Sequence, residues 1–154
     1  MRAKHFSLQA LSFMFLLLSL PACDEAGAPG ESGAFTMGAT GGKVALSDGA
    51  EVSVPAGALQ SAVSIGIANL GESAFPATNF TPVGDFYRLT PAGQKFKQPV
   101  KVVLPYNAGL VGSQGSNVRI FMSSNEGVTF EPLPLFSSSK PNSVGGQTLS
   151  LIHI

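Results

Sequence analysis

From Met37 onward the apolar residues of this chain recur at every second position, in short runs cut by Gly, Pro, Asn and Asp. That spacing puts successive apolar side chains on one face of an extended strand. Outside an N-terminal apolar run, no window carries the i, i+3, i+4, i+7 stripe of an amphipathic helix. Residues 43–46 place Val44 and Leu46 on one side, and residues 51–54 do the same with Val52 and Val54. Between them Asp48-Gly49 is a hairpin signal, because glycine accepts the positive φ of a tight primed turn. Residues 62–68 send Val63, Ile65 and Ile67 inward, and residues 86–90 form a fourth candidate strand. Residues 100–104 turn Val100, Val102 and Leu104 one way and Lys101 and Val103 the other, with Pro99 and Pro105 expected to stop the strand at both ends. Residues 118–122 and 129–133 repeat the pattern around Asn125-Glu126-Gly127, a second hairpin-type connection. Short strands separated by turns predict an all-β fold, a β-sandwich of short antiparallel strands.

The other informative segment is the N-terminus. Arg2 and Lys4 precede an apolar run over residues 6–20, and Leu20-Pro21-Ala22-Cys23 closes it with the only cysteine of the chain. A positive start, an apolar stretch shorter than the roughly 20 residues of a spanning helix, and a short box ending in cysteine have the layout of a bacterial lipoprotein signal. Ordinary signal cleavage wants a small residue three positions before the cut, where Leu20 is large, whereas a lipobox prefers leucine there. Residues 1–22 are therefore expected to be a signal peptide and Cys23 the lipidation site, with residues 23–36 a lipidated, flexible spacer of small and polar residues. This places the mature protein in the cell envelope, lipid-anchored outside the cytoplasmic membrane. Asp24 after the cysteine is read differently in different bacteria, so inner and outer membrane both stand. A single cysteine excludes an intramolecular disulfide.

Removal of Arg2 and Lys4 leaves seven of nine Lys plus Arg against nine Asp plus Glu, a net charge of about −2. No window holds a basic stripe or a Lys/Arg cluster interleaved with aromatics, so nucleic acid is not expected as a partner. The expected partners are the membrane, through the N-terminal lipid, and an envelope protein or glycan.

Two segments carry a family resemblance. The stretch Gly41-Gly42-Lys43-Val44-Ala45-Leu46-Ser47-Asp48-Gly49-Ala50-Glu51-Val52-Ser53-Val54-Pro55-Ala56-Gly57-Ala58-Leu59 resembles the opening of the ZU-five domain of ankyrins, netrin receptors and zonula occludens proteins. Leu89-Thr90-Pro91-Ala92-Gly93, with Phe96, Pro99-Val100 and Leu104-Pro105-Tyr106, is similar to the second signature of that domain. The resemblance implies a ZU-five-like β-sandwich over residues 37–148, used as a non-catalytic interaction module. Pro55 and Gly57 would then turn the chain after the second strand, with Gly57 at positive φ. Some members of the family cleave themselves at His-Phe-Ser. Here that tripeptide is His5-Phe6-Ser7, inside the signal, and gives self-cleavage no support.

Catalytic chemistry finds few groups to use. The two histidines are His5, in the signal, and His153, in the tail, so neither a Ser-His-Asp nor a Cys-His arrangement is expected in the domain, nor a metal or haem ligand set. The carboxylates Asp48, Glu51, Glu72, Asp85, Glu126 and Glu131 are read as solvated turn and strand residues; a glycosidase would need two of them facing each other across a cleft. Phe75, Phe80, Phe86, Phe96, Phe130 and Phe136 are read as core and hairpin packing, while alternation turns Phe121 away from Val118, Ile120 and Met122, toward a second sheet or an interface. The expected function is a lipid-anchored envelope protein with an interaction or structural sandwich, not an enzyme, with no cofactor and no metal. The alternatives are a carbohydrate-binding sandwich, for which only Tyr87, Tyr106 and the phenylalanines offer rings, and an envelope hydrolase.

The end of the chain is read separately. Leu149-Ser150-Leu151-Ile152-His153-Ile154 alternates like a last strand, yet it matches the in-frame translation of a transposon-end adapter used in sequencing libraries. Residues 149–154 are therefore expected to be an adapter artefact, with the natural sequence leaving the chain near Thr148 and continuing beyond it.

Overall fold

The computed structural model describes residues 30–72, 81–112, 117–124 and 127–150. Its elements are β1 (Ser32–Met37), β2 (Gly42–Ala45), β3 (Glu51–Val54), β4 (Val63–Gly71), β5 (Phe86–Thr90), β6 (Lys95–Pro105), a single helical turn α1 (Ala108–Val111), β7 (Phe121–Met122), β8 (Glu131–Pro132), β9 (Leu135–Phe136) and β10 (Ser143–Ser150). The fold is all-β. One antiparallel sheet has the order β1-β4-β5 and the other β2-β3-β6-β10-β9, with β7-β8 as a small separate ribbon.

Alternation builds the core. Met37, Ile65, Ile67, Tyr87 and Leu89 from the three-stranded sheet pack against Val44, Val52, Val54, Val100, Val102 and Leu104 from the five-stranded one. Val52, Val100, Val102, Ile65 and Leu89 have no measurable exposure, and each such side chain stabilises the fold by about 1.5–3 kcal/mol relative to an exposed one. Register carries the pattern across the sheet, since Val44 faces Val52, Val52 faces Val102, and Val102 faces Gly146. A side chain at Gly146 would meet Leu133 and Ile120 within 3.0–3.2 Å, so this glycine makes room for two residues that close the core from the far edge.

The expected strands at residues 43–46, 51–54, 62–68, 86–90 and 100–104 all form, with four differences. The spacer assigned to residues 23–36 ends earlier, because Ser32–Met37 is strand β1 and pairs with β4 from Ser32↔Ala68 to Met37↔Val63. Its composition resembles a linker since Gly33 sits against Leu46 and Val44, where a larger residue would crowd them. Second, the β2–β3 hairpin is a three-residue loop, not a two-residue primed turn: Leu46 N donates to Ala50 O at 2.9 Å, and within the loop only Gly49 has positive φ. Third, Pro99 does not stop β6. It falls where the β6–β10 register shifts, between Val100↔Thr148 and Lys95↔Ser150, and proline is tolerated at such an irregularity because the ladder asks no N–H of it. Fourth, residues 118–122 and 129–133 pair only as the two-residue strands β7 and β8. Ile120 and Leu133 still turn inward and are joined by Leu133 N to Ile120 O at 2.8 Å.

The face assignment on β6 holds in part. Val102 belongs to the core and Val103 to the opposite side, but Val103 is also buried, at 8% exposure. Strand β10 was not expected as such. Its Ser150 pairs with Lys95, and residues 151–154, with His153, lie outside the described residues.

Candidate functional site

One end of the sandwich holds a cleft of about 590 Å³, within the range of about 300–1,000 Å³ seen for small-ligand sites. Its walls come from three directions. The segment entering β5 contributes Asp85 and Phe86, the exit of β6 with α1 contributes Leu104, Tyr106 and Leu110, and the ribbon contributes Val118, Phe121 and Phe130. Backbone contacts fix the first two walls: Asn107 N donates to Val83 O at 2.7 Å, and a side chain at Gly84 would approach Pro105 O at 2.8 Å. The Asn107 side chain caps α1 by accepting from Gly109 N at 3.0 Å, which holds Leu110 at the mouth with 62% exposure. Phe121 faces this cleft, consistent with its reversed position in the alternation.

Asp85 joins the cleft to a buried polar clasp. Asn69, 1% exposed on β4, donates its amide to Asp48 Oδ2 at 3.0 Å and to Asp85 Oδ2 at 2.7 Å. Tyr87 on β5 donates its hydroxyl to Asp48 Oδ2 at 2.8 Å, and Asp48 Oδ1 accepts from Ala50 N at 2.8 Å. The Asn69 side-chain oxygen accepts from Gly71 N at 2.7 Å. Burial pushes the Tyr87 hydroxyl well above its ordinary titration range, and the hydrogen bond and charge of Asp48, with Asp85 and Glu31 nearby, push it further. The phenol stays protonated and remains a donor. Asp48 is thus not the solvated turn residue expected from the sequence: it ties the β2–β3 loop to β4 and β5. Tyr87 is correspondingly buried and offers no ring to a glycan.

The other expected residues scatter. Glu51 lies on the outer face of the five-stranded sheet, 2.8 Å from Lys140 Nζ and 3.3 Å from Lys43 Nζ. Partial burial pushes its pKa up, but the hydrogen bonds and charges of Lys140 and Lys43 outweigh that and hold it below its ordinary value. Lys140 Nζ also donates to Gly49 O at 3.0 Å. Glu72 and Glu131 are exposed, and Glu126 lies outside the described residues. Phe86 and Phe96 are buried, Phe121, Phe130 and Phe136 are half-buried, and Phe75 and Phe80 lie outside the described residues. Cys23, with the whole signal and its His5-Phe6-Ser7, also lies outside them. Among the described lining of the cleft the one carboxylate is Asp85, already bonded to Asn69. Chemically the arrangement offers an apolar, aromatic-walled concavity and a clasp whose donors and acceptors are matched.

Compared with known proteins, the chain matches no family model and no curated protein sequence.

Proposed function

We propose that this protein is a lipid-anchored component of the bacterial cell envelope whose β-sandwich, of ZU-five type, acts as a non-catalytic interaction or structural module. The observation that carries the reading is Leu20-Pro21-Ala22-Cys23 at the end of the apolar N-terminal run. The two stretches that resemble the ZU-five signatures support the second half of it. In the fold they form the β2–β3 hairpin with its following turn, where Gly57 has φ of +80°, and the β5–β6 corner, where Gly93 has φ of +77°. Detergent phase partitioning tests the anchor. The unmodified protein is expected in the detergent phase, and a Cys23→Ala chain made without residues 1–22 in the aqueous phase, because one cysteine carries all the acyl chains. An alanine variant that still partitions with detergent removes lipidation from the proposal.

A second reading, glycan binding, draws on the cleft, where Tyr106, Phe121 and Phe130 bring three half-buried rings to one concavity. Sedimentation with insoluble envelope glycan separates the two readings: binding that Tyr106→Ala abolishes while the melting temperature holds would favour the glycan.

A further inference from the structure

The fold gathers charges that the sequence disperses. Seven lysines and arginines follow Gly30, and five of them, Lys43, Lys95, Lys97, Lys101 and Lys140, lie on the outer face of the five-stranded sheet. Phe96 and Val102 point into the core, which turns Lys95, Lys97 and Lys101 outward along β6, all three exposed. Lys43 joins this row through Ser53, since Lys43 faces Ser53 and Ser53 faces Lys101. Lys140 arrives from the turn before β10. Among the described residues the carboxylate paired with these lysines is Glu51, shared by Lys43 and Lys140. Lys95, Lys97 and Lys101 have no ion-pair partner among the described residues; Lys101 lies 5.4 Å from the centre of the Phe136 ring. Three other described carboxylates, Glu31, Asp48 and Asp85, gather instead around Tyr87. The expectation of no basic stripe is thereby corrected: residues 95–101 form one, half of it hidden in sequence by the alternation with core residues.

We propose that this face docks flat on the anionic headgroup surface of a phospholipid bilayer. Three features select that occupant. The lysines spread over a strip ~20 Å long and ~10 Å wide at ordinary strand spacings, so their fields overlap at a screening length of about 8 Å. All five are lysines, point charges suited to a diffuse field, where recognition of individual phosphates favours the arginine fork. Beside the lysines the described ring is Phe136, half-buried under Lys101, whereas single-stranded nucleic acid would need a ladder of exposed rings. The anchor reading adds proximity, and to that extent the proposal rests on it: the chain from Cys23 to Ser32 spans at most about 32 Å, so a bilayer holding Cys23 is within reach of the domain.

The test uses the full chain carrying Cys23→Ala, which lacks the acyl site and keeps the lysines. Its co-sedimentation is measured with vesicles of pure phosphatidylcholine and of phosphatidylcholine with phosphatidylglycerol. The neutral vesicles report the N-terminal apolar run, and the excess on anionic vesicles, suppressed by salt, reports charge. Each lysine near an anionic surface strengthens partitioning by about fivefold, so Lys95→Glu with Lys97→Glu and Lys101→Glu should cut the excess on the order of 100-fold. Lys97→Glu alone should cut it by at least about fivefold. Arg88→Glu, the same charge change on the opposite sheet, should leave it within about twofold, since a charge a sandwich thickness away is screened. Equal losses for Lys97→Glu and Arg88→Glu would overturn the proposal, as would a triple variant that melts like its parent and keeps its excess. Should the triple variant not fold, the two single variants decide alone. Detergent partitioning of the unmodified protein reads the anchor independently, so failure of either idea leaves the other measurable.

Discussion

Toward the core the two sheets present the same chemistry. Ile65, Ile67 and Leu89 from one meet Val52, Val100 and Val102 from the other, and either set could serve on the opposite side. Toward solvent they part. Among the described strand residues, the outer face of the three-stranded sheet carries Ala34, Thr36, Ser64, Gly66, Ala68 and Thr90, with Arg88 as its single charge. The five-stranded sheet carries five lysines and Glu51 outward. The inner faces answer to packing, which any sandwich must satisfy, so it is the difference between the outer faces that bears on what this protein meets.

The sharpest way to break the comparison is to move a charge from outside to inside. Val102→Asp should prevent folding, because an uncompensated charge among fully buried residues costs several kcal/mol against a total of about 5–15; circular dichroism should show no cooperative melt. One residue along, Val103→Asp enters a buried site on the lysine side, opposite Glu51 in register. It should cost about 3 kcal/mol, through desolvation and like-charge opposition, and leave a folded protein with a lowered melting temperature. A reversed order of the two melts would mean the sheet faces are misassigned by one residue. Tyr87→Phe removes one hydrogen bond to the Asp48 carboxylate at 2.8 Å and should cost about 2 kcal/mol with no change of fold.

The smallest expected effect is at Glu51. Its pKa is held below the ordinary 4.5 in the folded state, so its pairing with the lysines stabilises the fold above that value and is lost as pH falls through the lower folded one. Glu51→Gln should therefore cost under about 1 kcal/mol at neutral pH, and the difference between variant and parent should vanish in acid. Chemical denaturation at pH 7 and pH 3 measures it; a gap that widens in acid would contradict this assignment of charge.

The legible part of the fold is the part where one side of a strand is apolar. The runs around Val44, Val52, Ile65, Leu89 and Val102 announce themselves because alternating side chains face a core and solvent. Strands β1 and β10 do not, since their inward positions include Gly33, Gly146 and Thr148, residues chosen by what lies opposite: Gly33 admits Leu46, and Gly146 admits Leu133 and Ile120. The clasp was illegible for another reason. Asn69 and Tyr87 reach Asp48 across 21 and 39 positions, and no local pattern marks a buried amide that bridges two aspartates. The lysine face needed the topology itself, which brings Lys43 from β2 and Lys140 from the turn before β10 to the row already present on β6.

The place of β6 between β3 and β10 has a consequence for the chain as it first folds. If the chain is exported as proposed, its strands emerge in sequence order, so β6 can pair with β3 before β10 has arrived, and until then its other edge stands open with Val100, Val102 and Leu104 along it. An open apolar edge invites a second chain to add itself. Lys95, Lys97 and Lys101 sit on that same strand and would stack like charge on like charge in any in-register pairing of two copies. The outward lysines thus guard the strand during the interval before its own partner arrives, and replacing them should show first as aggregation while the chain folds, before any loss of stability in the finished fold.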